Sequence, residues 1–109
     1  MEGALANLKN VKSRMGNFSI ENKGKVFNTD LMFGLELEFM IDCADAVVAG
    51  ALTRKESRGA HFRTDITERD DENWLKHTLM YQDDEADNGV RVETSDVKIT
   101  QWEPVKRVY

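Results

Sequence analysis

Cysteine, net positive charge and long apolar runs are absent or nearly absent from this chain of 109 residues. Its one cysteine, Cys43, excludes an intrachain disulfide and favours a reducing compartment. The longest apolar run without a charge covers residues 46–52, well short of the ~20 residues of a membrane-spanning helix. The first six residues lack the basic region and apolar core of a signal peptide. A net charge of −5 argues against nucleic-acid binding, so we expect no nucleic-acid partner.

Two helices are predicted in the first half of the chain, whose composition (40% hydrophobic, 32% charged) is typical of one small folded domain. Leucines, a valine and a methionine at helical spacing predict a first helix over residues 2–15. No N-cap residue precedes it, so we expect the chain to start inside or just before a helix, as a fragment would. A second helix, ~35 Å long, is predicted from about residue 30 to about residue 53, after candidate N-cap residues at positions 28–30.

The second helix is apolar around most of its circumference and carries charges mainly at positions 36, 38, 42 and 45. A helix of this kind is normally buried on several sides, and the short first helix cannot cover it all. We expect the tail, a second copy or a missing domain to cover the rest. The two predicted apolar stripes are Leu31, Leu35, Phe39, Cys43, Ala46 and Ala49, and Phe33, Leu37, Met40, Ala44, Val47, Val48 and Ala51.

Beyond residue 54 the helical period fades. Residues 75–81 are compatible with a short helix or a strand, and the polar stretch 83–89 ends in Asn-Gly, a strong hairpin signal. Apolar residues alternate over 90–101, which predicts a strand ended by residues 102–104. The predicted fold is therefore mainly α: antiparallel helices of a small, spectrin-repeat-like helical bundle, followed by an extended segment and a C-terminal β-hairpin.

Residues 54–79, here called the charged segment, combine charges of both signs with two histidines and a tryptophan in an order that no generic helix or strand needs. Five blocks occur in order: FNTDL at 27–31, LELEFM at 35–40, ESRGAHFR at 56–63, RDDENWLKHTL at 69–79 and EPVKRVY at 103–109. Together they resemble the C-terminal part of the flavoprotein subunit of succinate dehydrogenase and fumarate reductase. The resemblance covers roughly residues 8–109.

The resemblance implies that residues 1–109 form a C-terminal helical domain, without the flavin and capping domains. In such flavoproteins an N-terminal domain holds FAD, usually covalently through a histidine, and a capping domain closes over the dicarboxylate. The full enzyme is expected to oxidise succinate to fumarate and to pass electrons to an iron–sulfur subunit. It would contact membrane anchor subunits only indirectly, at the cytoplasmic, inner face of the membrane. Because the chain has no Gly-x-Gly-x-x-Gly fingerprint, we expect no FAD bound to it, no catalytic or cofactor-binding residue in it, and no activity from it alone.

The charged segment has three interpretations. Guanidinium groups suit bidentate contacts with carboxylates and phosphates, so Arg58 and Arg63, with His61, are candidates for contacts with a dicarboxylate or a flavin phosphate. The stronger interpretation is a structural network of ion pairs and hydrogen bonds against the flavin domain, with Gly59 in a left-handed turn after the helix. Solvent exposure is the third. The expected members of the network are Glu56, Ser57, Arg58, Gly59, His61, Arg63, Asp65, Arg69, Asp70, Asp71, Trp74 and His77.

Other chemistry-bearing residues receive structural interpretations. No metal site is expected, because the spacing of the histidines and nearby aspartates fits no standard zinc pattern. Cys43 is interpreted as a small core residue. Trp74 and Trp102 are interpreted as core residues or interface anchors. The acidic stripe at positions 38, 42 and 45 is expected to face water, with a basic partner as the alternative.

Three functions follow from these features. The principal hypothesis is the C-terminal domain of the flavoprotein subunit. The alternative is a stand-alone interaction module that dimerises through its long apolar helix. A small independent enzyme using Arg58 and His61 ranks last, because two helices and a hairpin leave little room for a water-excluding site.

Overall fold

A computed structural model describes residues 2–105 as two long helices, a short helix and a β-hairpin. The end of the family-like terminal block, residues 106–109, lies outside the described residues. The elements are α1 (Glu2–Arg14), a 3-10 turn (Met15–Asn17), α2 (Thr29–Thr53), α3 (Asp71–Trp74), β1 (Lys76–Gln82) and β2 (Val90–Asp96).

The two long helices run antiparallel, as predicted. Lys12, near the end of α1, pairs with Asp45 in the second half of α2, while Gly3, near the start of α1, lines a cavity with Leu52, near the end of α2. Of the three candidate N-cap residues, Asn28 takes the role: its side-chain oxygen accepts a 2.9 Å hydrogen bond from the backbone N–H of Leu31. Neither long helix within residues 2–105 combines the length and hydrophobicity needed to cross a membrane.

The hairpin packs on the second half of α2. Its strands pair antiparallel, with Lys76 opposite Asp96. The strand β1 packs on α2 at Gly50. The sulfur of Met80 lies there, only 3.2 Å from where a Cβ atom would stand if Gly50 had one. The predicted turn at residues 83–89 is confirmed. The predicted continuation of the second strand to residue 101 is wrong, because β1 begins at Lys76 and no strand residue remains to pair with the chain beyond Asp96.

The buried line of α2 agrees with the predicted stripes at Ala49 but not at Ile41. Within the described residues the buried apolar side chains are Ile41 and Ala49, at 7% exposure each, and they flank Asp45 at a spacing of four. Asp45 is only 3% exposed, so the expectation that it faces water is wrong. The physical reason is the ion pair, because α1 covers the side of α2 that its Lys12 can reach. Cys43 lies elsewhere on α2 and is exposed, so its interpretation as a core residue is also wrong.

The other side of α2 carries large apolar side chains in contact with water. Met32, Phe39, Met40 and Val47 are 47%, 66%, 63% and 68% exposed, and they form what we call the exposed stripe. The prediction that α1 cannot cover the whole helix is therefore confirmed.

Candidate functional site

The charged segment closes around one carboxylate, that of Glu56, which is completely buried. Arg58 donates to both of its oxygens, from Nε at 2.8 Å and from Nη2 at 3.0 Å. Arg54 adds a third contact from Nε at 3.2 Å, and the backbone N–H of Asp70 a fourth at 2.9 Å. These four groups form what we call the Glu56 centre.

The charges at the Glu56 centre are fixed by their surroundings. Burial alone would raise the pKa of Glu56, but the hydrogen bonds from Arg58 and the Asp70 N–H, with the charges of both arginines, outweigh burial and lower it below 4.5. The hydrogen bonds to Glu56 and Asp71 raise the pKa of Arg58 despite its partial burial. The carboxylate is therefore ionised and the guanidinium protonated at neutral pH. Such a buried pair is sensitive to removal of either partner.

A chain of ion pairs runs from the Glu56 centre to the last described residues. Arg58 Nη2 also contacts Asp71 at 2.5 Å, and Arg69 contacts the other oxygen of Asp71 at 2.6 Å. The hydrogen bond from Arg58 is the main cause of the lowered pKa of Asp71. From its Nη1, Arg69 donates to the carbonyl of Val105 at 2.8 Å. The C-terminal segment is thus attached to the site through its backbone.

Arg54 has a larger role than its sequence position suggests. It donates from Nη2 to the carbonyls of Trp74 at 2.6 Å and Lys76 at 2.7 Å, and its guanidinium lies 5.6 Å from the centre of the Trp74 ring. It therefore joins the end of α2 to the start of the hairpin. The predicted network omits Arg54, although its spacing of two residues from Glu56 could have identified it.

Arg63 covers the C-terminal end of α2. Its Nη1 donates to the carbonyls of Arg54 at 3.1 Å and Leu52 at 3.3 Å, groups that the helix leaves without internal partners. Its remaining donors hold Asp65 in a bidentate pair at 3.0 and 2.6 Å. The hydrogen bonds from Arg63 lower the pKa of Asp65 to about 2. Arg63 is therefore occupied within the chain.

Ser57 stabilises the loop between α2 and α3 through hydrogen bonds of its hydroxyl and its backbone N–H. Its hydroxyl donates to the carbonyl of Ile66 at 2.6 Å and accepts the backbone N–H of Arg63 at 2.8 Å, and its own N–H donates to the carbonyl of Glu68 at 2.9 Å. The loop between α2 and α3 is thus tied to itself at several points.

Gly59 occupies a tight turn in which Arg58 and His61 exchange both backbone hydrogen bonds, at 2.8 and 3.0 Å. Its φ of +59° at the first central position of that turn is typical of glycine. The left-handed conformation is confirmed. The turn follows α2, which ends at Thr53, after an extended residue at Arg54.

The two histidines of the predicted network form no ion pair within residues 2–105. His77 is exposed on β1, opposite Ser95, and the Nε2 atom of His61 is buried without a hydrogen-bond partner in the described part of the chain. Trp102 is 80% exposed, which excludes a core role for it in this chain. Across residues 2–105 no group of three potential metal ligands comes together.

The arrangement offers little for catalysis by this chain. The donors of Arg58 and Arg63 described above point at carboxylates and carbonyls of the same chain. A cleft of about 460 Å³ lies between α2 and the hairpin, but Lys12, Asp45 and Tyr81 line it instead of Arg58 and His61. Nothing in this geometry therefore supports an independent enzyme that uses Arg58 and His61.

Comparisons with known proteins agree with the family resemblance of the five sequence blocks. A family model described as the C-terminal part of fumarate reductase flavoproteins matches residues 1–109. The fumarate reductase flavoprotein subunits of Haemophilus influenzae and Proteus vulgaris are 44% and 47% identical to the chain, over 100% of its length and 18% of theirs. A solved structure of quinol fumarate reductase from Escherichia coli is similar with a TM-score of 0.83 and 45% identity, over 96% of this chain and 18% of that one. The chain thus spans less than a fifth of the length of these relatives.

Proposed function

The chain belongs to the C-terminal family of fumarate reductase flavoproteins, and we propose that it is a structural domain that holds together a subunit interconverting succinate and fumarate. The observation that carries this proposal is the Glu56 centre, in which the most conspicuous charges of the chain are buried and paired with one another.

A structural role follows from how these charges are used. A group that binds a dicarboxylate needs free donors that face a cavity. Arg58 instead donates its hydrogen bonds to Glu56 and Asp71. Arg63 donates to backbone carbonyls at the end of α2 and to Asp65. We therefore assign the charged segment to a rigid connection between α2 and the hairpin, and expect the substrate-binding and catalytic groups in the remainder of the subunit.

FAD is the cofactor that the family implies, but the residues described here do not fit its binding site. A dinucleotide-binding domain places the pyrophosphate at a helix N-terminus within a parallel strand–helix–strand unit. The sheet within residues 2–105 is a two-stranded antiparallel hairpin. We infer that the flavin is held by the rest of the subunit, and that this chain packs against that flavin domain.

The exposed stripe indicates how the fold is completed. The members of the exposed stripe recur at spacings of seven and eight residues along α2, which matches the pattern of a helix face that receives a neighbouring helix. We propose that the rest of the subunit supplies the missing surface there and completes the small, spectrin-repeat-like bundle that α1 and α2 begin.

Further partners follow only through the whole subunit. We propose that the subunit passes electrons to an iron–sulfur subunit and reaches the inner, cytoplasmic face of the membrane through anchor subunits, without direct contact between this chain and the membrane. The comparisons do not favour the alternative of a stand-alone module that dimerises through α2.

The proposal is tested by Arg58→Ala in the full-length flavoprotein subunit. Loss of Arg58 leaves Glu56 buried with one arginine instead of two, which we expect to weaken docking of the domain. The flavin absorbance per protein and the yield of assembled complex should fall several-fold. The rate of fumarate reduction per bound flavin should remain within about two-fold of the parent, because each 1.4 kcal/mol on a barrier changes a rate ten-fold and no reacting group is removed.

Arg91→Ala is the matched control, because Arg91 is half-exposed on the hairpin and pairs there with Asp83 at 3.2 Å. It should leave both flavin content and assembly unchanged. Normal assembly of the Arg58 variant with a collapsed rate at saturating substrate would assign Arg58 to catalysis and overturn the structural role.

A further inference from the structure

The loop before α2 holds an aromatic residue in a strained conformation and presents it to water. Phe27 has a φ of +48°, a region that bulky side chains rarely adopt, and it is 95% exposed. Its neighbour Val26 is 78% exposed. Within this chain, neither burial nor a favourable backbone conformation accounts for that arrangement, and observed strain of this kind points to a function.

The loop is also held rigidly in this shape. The side-chain amide of Asn28 donates to the carbonyls of Asn22 and Gly24, both at 2.9 Å, while its oxygen caps α2. The backbone N–H of Thr29 donates to the carbonyl of Phe27 at 2.9 Å. The loop is therefore pre-organised before it meets a partner, which reduces the conformational entropy that the loop loses on binding.

Two observations indicate the surface that receives it. Phe27 stands at the end of α2 where Leu31 and Phe33 are also exposed, at 46% and 60%, so apolar surface continues from the loop onto the helix. Residues 22–28 carry Lys23 and Lys25 and no acidic residue, although the whole chain has a net charge of −5. A complementary surface would be apolar at its centre and acidic at its edge.

We infer that Phe27 is an anchor that inserts into an apolar pocket, bordered by carboxylates, on the flavin-bearing remainder of the same subunit. This inference rests on the proposed function. The chain spans 18% of the length of its relatives, so most of such a polypeptide is tethered close to the loop, at a high effective concentration. Aromatic residues, phenylalanine among them, are enriched at the cores of protein interfaces.

The test places a photoreactive residue in the full-length subunit within its complex, as Phe27→p-benzoylphenylalanine. After illumination, mass spectrometry of the digested protein identifies the residue that has been cross-linked. We expect an adduct to an apolar residue near Asp or Glu side chains, in the same polypeptide but outside these 109 residues. The same substitution at Tyr81, a less exposed aromatic residue on the hairpin whose ring centre lies 4.7 Å from the Arg91 guanidinium, is the matched control and should give much less adduct.

The outcomes separate the inference from the proposed function. An adduct of Phe27 to another subunit or to a second copy, or a yield no higher than that at Tyr81, overturns the inference. Phe39→p-benzoylphenylalanine probes the exposed stripe, so an adduct from Phe39 without one from Phe27 leaves the proposed packing intact. Loss of both adducts contradicts the proposed packing as well as the anchor.

A second variant tests the charges. Lys25→Glu should reduce the Phe27 adduct several-fold, and added salt should reduce it in the parent. An unchanged yield under both conditions would contradict the acidic border of the pocket.

Discussion

The charged segment and the first half of α2 reverse the usual relation between polarity and burial. In the charged segment, Glu56 is completely buried among arginines that satisfy it. In the first half of α2, Phe33 and Phe39 are 60% and 66% exposed. The polar region therefore pairs its own charges, whereas the apolar region leaves large side chains in contact with water within residues 2–105. A simple rule that places apolar residues inside and charged residues outside would assign the two regions the opposite roles.

The largest effect should come from Glu56→Gln. The substitution keeps the shape of the side chain but leaves the charges of Arg54 and Arg58 without their buried partner, which we expect to cost about 3–5 kcal/mol of the free energy of unfolding. Urea denaturation of the chain, followed by tryptophan fluorescence, measures the change. Glu38→Gln removes an exposed carboxylate from α2 and should change the stability by less than about 0.5 kcal/mol. Equal effects of the two substitutions would mean that the charged segment is not self-contained.

A smaller effect is expected from two neighbouring residues of α2. Ile41 is 7% exposed and Met40 is 63% exposed. Ile41→Ala should therefore cost about 2–5 kcal/mol of stability, and Met40→Ala no more than about 0.5 kcal/mol, in the chain by itself. The comparison becomes sharper in the full subunit, where Met40→Ala should become costly as the exposed stripe is covered. A large loss for Met40→Ala in the chain by itself would show that the stripe is already packed.

The smallest effect concerns acid stability. The pKa values of Glu56, Asp71 and Asp65 are lowered below their ordinary values of 4.5, 3.8 and 3.8, so the unfolded chain binds more protons in acid than the folded chain. Their stabilising contribution is complete above those ordinary values and is lost as the pH falls through the folded-state values. The urea midpoint should therefore decline below about pH 4.5.

Asp65→Asn sharpens the acid experiment. The pKa of Asp65 is about 2 in the folded chain. The urea midpoint of the variant should therefore decline less than that of the parent between about pH 4 and pH 2. Asp84→Asn, in the exposed hairpin turn, is the control for the change in net charge. Identical pH profiles for the parent and the Asp65 variant would contradict the pairing of Asp65 with Arg63.

The sequence predicts local structure here better than packing. The N-cap of α2, which Asn28 supplies from the three candidate positions, and the hairpin turn depend on neighbouring residues, and both are confirmed. The buried line of α2 depends on where α1 lies, and α1 follows the pair of Lys12 with Asp45, a contact across 33 positions. Periodicity favoured the more apolar stripes, because it ranks faces by hydrophobicity and contains no information about a specific ion pair.

The candidate site shows the same limit. Charges of both signs in one short segment predicted a self-paired network, and the structure brings Glu56, Arg58 and Asp71 together. The sequence could not indicate that Arg54 would reach the carbonyls of Trp74 and Lys76, because that contact depends on how α3 turns the chain. His77 was grouped with the network by its block, yet strand alternation directs it to the exposed face of β1.

The loop tied together by Ser57 and Glu56 also bears on the order in which the chain folds. The Ser57–Glu68 and Glu56–Asp70 contacts close loops of 11 and 14 positions, whereas the Lys9–Asp87 pair joins residues 78 positions apart. Loop-closure entropy favours the 14-residue closure over the 78-residue closure by roughly 1.5 kcal/mol. The charged segment can therefore form as a local nucleus, before α1 reaches the hairpin. Early closure of these hydrogen bonds would fix the direction in which the hairpin leaves the long helix before the contact between α1 and the hairpin forms.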